Sequence, residues 1–231
     1  MKISLIIPCY NESKNLPSLF ERCRQLDSDV FEVIIVNNGS TDDTSNVISH
    51  LLNHQYPFIK SIKVEVNQGY GHGILCGLKS STGNIIGWTH ADLQTDPLDA
   101  KQVQNLANQY GKNVFIKGQR YGRPISDVLF TVGMSFFESI LLKKFFWDIN
   151  AQPTFFPRSF FEQWESPPND FSLDLFAYYQ AKRNSLKVIR FPVFFGKRLY
   201  GQSHWNIDFR SKWKFIKRTI EFSLTLRKRI D

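Results

Sequence analysis

An alternation of short apolar runs with helix-length segments dominates the first half of this chain and leaves few folds open to it. "ISLII" at 3–7, "FEVIIVN" at 31–37, "SIKVEV" at 61–66, "NIIGWTH" at 84–90 and "NVFIKG" at 113–118 read as strands. Between them, 13–26, 43–54, 71–81 and 97–109 read as helices. Strands that are apolar along their length are buried on both faces. A helix after each one carries the chain back for another parallel pairing. The expectation is an α/β fold, a mostly parallel sheet with helices on both faces. Ligands of such sheets collect at the carboxyl ends of the strands.

Those ends share a composition. After the first strand come Pro8, Tyr10, Asn11 and Glu12, and after the second Asn37, Asn38, Gly39, Ser40, Thr41 and Asp42. After the third come Asn67, Gly69, Gly71, His72 and Gly73, and after the fourth His90, Asp92 and Gln94. Turn chemistry accounts for one or two such clusters. Four at the same edge point to a site. Asp96-Pro97 also reads as an ordinary helix start.

The second half is less regular. Residues 125–146, "ISDVLFTVGMSFFESILLKKFF", read as one or two amphipathic helices whose apolar stripe packs in the core. "PPNDFSLDLFAYYQAKR" holds another helix, and "LKVIRFPVFF" a strand that Pro192 assigns to an edge or a bulge. With no repeat or low-complexity linker, residues 1–205 read as one domain and 206–231 as a basic amphipathic helical tail.

Composition narrows the function classes. The net charge is +8, and six of those charges lie in 210–231, where eight basic side chains face Glu221 and Asp231. A nearly neutral body argues against nucleic acid as a partner. There is no apolar run of 18 residues, so no membrane-spanning helix is expected. The start "MKISLIIPCYNE" reads as a first strand rather than a signal peptide. Three scattered cysteines suit a reducing cytoplasm better than a disulfide framework or a zinc site. The glycosylation patterns at Asn11 and Asn38 then read as chance matches.

Taken together, "IPCYNE", "VNNGSTDDT", "NQGYGHGI", "TGNIIGWTHADLQTDP", "GQR" and "KRLYGQS" resemble the inverting family-two glycosyltransferases with the GT-A fold. The likeness is greatest to the dolichyl- and polyprenyl-phosphate sugar synthases and covers roughly residues 5–203. The resemblance implies a nucleotide-binding αβα sandwich followed by an acceptor-binding half. It implies a nucleoside diphosphate sugar as donor and a polyprenyl phosphate or a glycan as acceptor. Asp92 and Gln94 match the last two places of a D-x-D-x-Q metal motif, implying Mg²⁺ or Mn²⁺, hard cations that take oxygen ligands. Pro8, Tyr10 and Glu12 match the first nucleotide loop. Asn37, Asn38, Gly69, Gly71 and His90 fall at further substrate-binding places; the glycines, Gly73 included, equally suit tight turning. Arg120 matches a G-x-R segment after the fifth strand, and Arg198 and Ser203 a late R-x-x-G-x-S segment. These arginines suit phosphate because a guanidinium donates in pairs. Asp92, Arg120 and Arg198 are the catalytic candidates, and Arg123 is a further arginine of the same kind.

Three positions depart from the family pattern. Asn37-Asn38 stands for an acidic pair, His90 for the first acid of the metal motif, and His204 for a lysine. Transfer to a phosphate oxygen needs no general base. Transfer to a sugar hydroxyl needs one, and Asp148, Asp170 and Asp174 are candidates. A catalytically impaired sugar-nucleotide-binding protein is the third reading, with His90 and the two asparagines as its marks.

The tail places Phe209, Trp213, Ile216, Ile220 and Leu224 on one helical face with basic residues around it. It suits an anionic membrane surface, which would make the protein peripheral on the cytoplasmic face, or packing on the domain.

Overall fold

The computed structural model describes residues 1–53, 57–111, 113–201 and 209–228, the last of these as backbone alone up to residue 215. A seven-stranded sheet has the order β3-β2-β1-β4-β6-β5-β7. Its strands are β1 (Ile3–Cys9), β2 (Phe31–Asn38), β3 (Ile59–Val64), β4 (Ile85–Trp88), β5 (Val114–Tyr121), β6 (Thr154–Pro157) and β7 (Lys187–Phe194). Its neighbours pair in parallel except at β6, which runs antiparallel to both β4 and β5. The expected mostly parallel sheet is therefore present. β6 was not among the expected strands: "TFFP" is four residues long and carries no alternation. Pro192 lies in β7 at the sheet edge, opposite Gln119, the kind of position where proline is tolerated in sheets.

The central strands β1, β2 and β4 read as mostly apolar runs because each side of the sheet has its own core. Ile3, Leu5 and Ile7 of β1, with Val33 and Ile35 of β2, pack with α1 (Leu16–Cys23), α2 (Thr44–Leu52) and α4 (Ala100–Tyr110). The alternate residues Ile6, Ile34 and Val36 pack with α3 (Tyr70–Ser80) and α7 (Leu173–Arg183) on the other side. A two-residue side-chain period feeding two cores makes most positions of β1 and β2 apolar. Away from their carboxyl ends the buried exceptions are Ser4, which donates to Glu32 (2.6 Å), and Glu32, which also pairs with Lys60 (3.0 Å). Two close approaches require glycine: a Cβ on Gly87 would lie 2.1 Å from the Thr154 carbonyl oxygen, and one on Gly77 2.4 Å from Ile6.

The remaining helices are α5 (Ile125–Leu141), the short α6 (Arg158–Phe161) and α8 (Phe209–Lys228). The expectation for 125–146 is half right. One helix forms, but its apolar stripe faces outward: Thr131, Ser135 and Glu138 are its buried residues, while Ile125, Leu129, Phe136 and Ile140 are exposed. The polar side chains turn inward because each finds a partner there. Thr131 accepts from Arg123 (2.9 Å), Ser135 accepts from the Asp148 N–H (3.1 Å), and Glu138 accepts from the Ser223 hydroxyl of α8 (2.8 Å).

The tail is also turned from the expected orientation. Ser223 and Leu226 are buried, whereas Leu224 of the expected face is exposed and Ile216 and Ile220 are half-buried. The side chains of Phe209 and Trp213, and residues Ser203 and His204, lie outside the described residues.

Glu138 gives the α5–α8 contact a pH signature. Burial pushes its carboxyl up to about 7, against a smaller downward pull from Ser223. Between the ordinary carboxylate value and about pH 7 the folded state therefore holds a proton that the unfolded chain has lost, so stability falls as pH rises through that window. Thermal melts across pH 4.5–8 are expected to show this decline in the wild type minus Glu138→Gln difference, which cancels the other titrating groups. A flat difference would refute the assignment.

Candidate functional site

The carboxyl ends of β1, β2 and β4 meet at one edge, and the loops leaving them are stitched together. Asn11, in a left-handed conformation (φ 57°), accepts from Thr41 N (2.8 Å) and Asp42 N (3.3 Å) through its side-chain oxygen. Asparagine tolerates that conformation better than most residues. Ser13 donates to Asp42 (2.7 Å), and the Glu12 N–H to Thr44 (2.9 Å). Tyr10 stands exposed at the end of β1, beside half-buried Pro8 and Glu12. Burial raises the Glu12 carboxyl pKa; a hydrogen bond from Asn15 lowers it, and the charge of nearby Asp92 raises it further. Asn11 stands in the strand-end cluster of the sequence but matched no role there, although it sits inside the "PCYNE" motif.

The two asparagines at the end of β2 are buried, and both are used structurally. Asn37 accepts from the Ser40 N–H (3.1 Å), and Asn38 donates to the Gly69 carbonyl (2.9 Å). A carboxylate at position 38 would have no proton to offer that carbonyl, which is a physical reason for asparagine there. Gly69 has φ 118°, and a Cβ on it would lie 2.4 Å from the Asn169 carbonyl oxygen; one on Gly71 would lie 2.6 Å from that of Pro168. These glycines let the 168–170 segment close over the start of α3.

After β4 the chain turns through Thr89–Gln94, with Leu93 at φ 57°. Asp96 caps the following turn by accepting from the Leu98 N–H (2.9 Å), so the helix-start reading holds for that residue. Asp92 is buried, and one of its oxygens accepts from the Gln94 N–H (3.1 Å). The other meets Arg198 from the loop after β7 at 2.7 Å, and the same guanidinium donates to the Gln94 side-chain oxygen at 3.3 Å. Gln94 is pinned from behind by Gly196, bonding to its carbonyl (3.1 Å) and receiving its N–H (2.7 Å). Residues about a hundred positions apart are thus brought together: a carboxylate and an amide oxygen converge on one cationic group.

This donor set bears on the expected metal. Among the described residues no group of three His, Cys, Asp or Glu side chains converges to hold an ion alone. Asp92 and Gln94 already present two oxygens to a cation, the Arg198 guanidinium. That arrangement fits a divalent ion that brings its remaining ligands on a diphosphate, as hard cations often do.

His90 is half-buried and lies in a ring stack with Tyr70 (centroids 5.4 Å) and Phe171 beyond it, Tyr70 to Phe171 being 4.6 Å. Burial lowers its pKa below the usual histidine range, outweighing the pull of Asp92 and Asp174, so the neutral imidazole is the form at pH 7. Beneath it, buried Asp174 accepts from Gln152 (2.6 Å) and lies 3.8 Å from buried Lys117. Lys117 donates to the Ala151 carbonyl (2.7 Å) and Thr154 (2.8 Å), and burial pushes its ammonium pKa down to about 7.

Arg120 lies within β5 rather than after it, and its guanidinium is bound to Asp148. Asp148 is buried and shared by three arginines, with Arg123 at 3.7 Å and Arg190 at 3.8 Å. Burial raises its pKa, but the Arg120 hydrogen bond and the arginine charges bring it below the ordinary carboxylate range. Asp148 is therefore poorly suited to accept a proton. Asp170 caps the Ser172 N–H (2.9 Å) and lies 3.6 Å from Arg218. One carboxylate against three guanidiniums leaves a surplus of positive charge, and the Nε of Arg123 is buried without a partner.

A cavity of about 810 Å³ adjoins this cluster. Gln94, Arg123, Asp127, Lys197 and Arg198 supply its polar lining, and Phe194 and Phe195 its apolar wall. Asp127, at the start of α5, is a carboxylate that no sequence motif had marked.

The glycosyl transferase family 2 model matches residues 4–164. Curated relatives include an undecaprenyl-phosphate 4-deoxy-4-formamido-L-arabinose transferase from Sodalis glossinidius, 32% identical over 112 residues. A protein of the same name from Proteus mirabilis is 33% identical over 112 residues. Each match covers 47% of this chain and 34% of the relative, so the chain matches only about a third of their length. Among solved structures, glucosyl-3-phosphoglycerate synthase from Mycobacterium tuberculosis, in complex with UDP, aligns at TM-score 0.75 and 17% identity, over 98% of this chain and 80% of that one. A mannosyltransferase from Pyrobaculum calidifontis, in complex with GDP-Man and Mn²⁺, aligns at TM-score 0.64 and 19% identity, over 87% and 58%. The expected fold is thereby shared with solved glycosyltransferases.

Proposed function

The chain belongs to glycosyl transferase family 2, and from that premise we propose that it moves a sugar from a nucleoside diphosphate sugar to the phosphate of a polyprenyl phosphate, inverting the anomeric carbon. The observation that carries this reading is the cavity beside Asp92 and Gln94, which combines Arg123, Lys197 and Arg198 with a phenylalanine wall. Cationic groups next to apolar surface suit an acceptor with an anionic head and a hydrocarbon chain. The names of the curated relatives support the same class of acceptor.

In this reading the loops after β1 and β2 seat the nucleoside, with Tyr10 and Glu12 nearest the base and ribose. Asp92 and Gln94 would hold a Mg²⁺ or Mn²⁺ on the donor diphosphate; when bound, such an ion offsets the charge developing on the leaving group. Arg198 sits between that diphosphate and the cavity, and Arg123 and Lys197 hold the acceptor phosphate. Its ionised oxygen forms the new bond to the anomeric carbon as the bond to the nucleoside diphosphate breaks. The attacking oxygen carries no proton, so orientation replaces base catalysis. Neutral His90 takes the place of an acid without adding charge beside Asp92.

A second reading has its own observation: Asp127 lines the same cavity and could take a proton from a sugar hydroxyl. The test is a panel of UDP-, GDP-, CDP- and dTDP-sugars with Mn²⁺, offered a short-chain polyprenyl phosphate or a glycan. Label passing to the prenyl phosphate, with Arg123→Gln lowering the rate at least about tenfold and Asp127→Asn nearly silent, is the expected result. Transfer to the glycan alone, abolished by Asp127→Asn, would replace the lipid-phosphate reading. Donor binding without any turnover would leave only a sugar-nucleotide-binding protein.

A further inference from the structure

Among the described residues, the outward stripe of α5 has no counterpart elsewhere in the fold. Ile125, Leu129, Phe136 and Ile140 fall at one helical face and are between 63 and 79% exposed. A helix on the surface of a water-soluble domain ordinarily shows the reverse pattern. The inversion is enforced from inside, because Thr131, Ser135 and Glu138 are tied to Arg123, to the Asp148 backbone and to α8. An apolar patch held outward in this way marks an interaction surface.

We propose that this face of α5 is a membrane-docking surface that inserts into an anionic lipid interface. Charge complementarity selects that occupant. Lys143 and Lys144 follow the helix directly, and α8, which packs against α5, exposes Lys228, together with Lys217 and Arg218, which lie 3.8 Å from Glu221 and 3.6 Å from Asp170. Apolar and aromatic side chains flanked by lysine and arginine suit the headgroup boundary of an anionic bilayer. A second copy of the chain, seated about a two-fold axis, would bring like charges together. The position of the helix adds a functional consequence, which rests on the acceptor reading above. The first turn of α5 borders the arginine-lined cavity through Pro124 and Asp127. Docking would hold the cavity beside the lipid surface, at the level of a lipid-borne phosphate. The inward face of the same helix contacts Arg123, so docking and phosphate capture share one element.

The experiment uses the full chain and the variant Leu129→Asp/Phe136→Asp, whose exposed positions leave the melting temperature unchanged. Co-sedimentation with phosphatidylglycerol-containing vesicles is expected for the wild type, weakened by salt. Neutral phosphatidylcholine vesicles should capture less. The variant should lose about tenfold or more in vesicle affinity. It should also lose transfer to a long-chain polyprenyl phosphate in vesicles while retaining transfer to a short, water-soluble prenyl phosphate. Wild-type protein that ignores anionic vesicles, or a variant that binds them equally, overturns the proposal. A wild-type dimer in sedimentation velocity that the variant dissociates assigns the face to a second copy and also overturns it. If vesicle binding behaves as expected but no prenyl phosphate is ever a substrate, the acceptor reading falls and the docking surface stands.

Discussion

Replacing Asp92 with alanine is expected to lower sugar transfer by a hundredfold or more while the protein stays folded. Asp92 supplies the carboxylate of the two-oxygen set it forms with Gln94, and it also receives Arg198 at 2.7 Å. In the proposed reading its loss removes a ligand of the divalent cation and releases Arg198, placed there between donor and acceptor. Preorganised charge at a reacting centre is commonly worth on the order of 10²–10³ in rate. Arg198 is partly exposed and can be rehydrated, so the cost in stability should be small. Initial rates, Mn²⁺ titrations and thermal melts on the same preparation check this together. Unchanged rate and unchanged metal response would remove Asp92 from the site. Gln94→Ala should have the same direction and a smaller effect, since an amide oxygen binds a hard cation more weakly than a carboxylate.

Asp148→Asn is expected to cost the fold about 3–5 kcal/mol, the range for removing one partner of a buried ionic cluster. The three arginines then lose the anion they share, and each is largely buried. The asparagine substitution isolates charge from shape. Asp148 has φ 44°, a conformation asparagine accepts, and the amide oxygen can still receive one Arg120 bond. Urea midpoints at constant slope measure the loss. A change below about 1 kcal/mol would mean that the cluster is hydrated well enough to need no counter-charge. The direction with pH is fixed as well. The Asp148 pKa is held down in the folded state, so its contribution is present above the ordinary carboxylate value and is lost as pH falls below it.

The parallel sheet was legible because β1, β2 and β4 are mostly apolar and the segments between them have helical length. The meeting of their carboxyl ends at one edge, with "PCYNE", "VNNGSTDD" and "THADLQ" there, was legible too, because parallel strand order alone brings those ends together. The nearness of Asp92 and Gln94 was readable, since two positions in one turn are local; that their oxygens converge on Arg198 was not. β6 was not readable: four residues running antiparallel between two parallel strands are selected by their neighbours and not by their own pattern.

The sequence by itself determined the periodicities, hence which segments are strands, which are helices, and which polar residues stand at strand ends. It could not say which side of α5 faces in, because a stripe of spacing three and four is the same stripe whichever way the helix is rolled. Only the tertiary structure decided that, by offering Arg123, Asp148 and Ser223 as partners for the polar side, so that turning it outward would strand buried hydrogen-bonding groups. The same reason separates Arg198 from Arg120. Both are arginines in family-like motifs, but one reaches Asp92 across 106 positions while the other is spent on Asp148. Charge pairing depends on distance in space, which a linear chain does not carry.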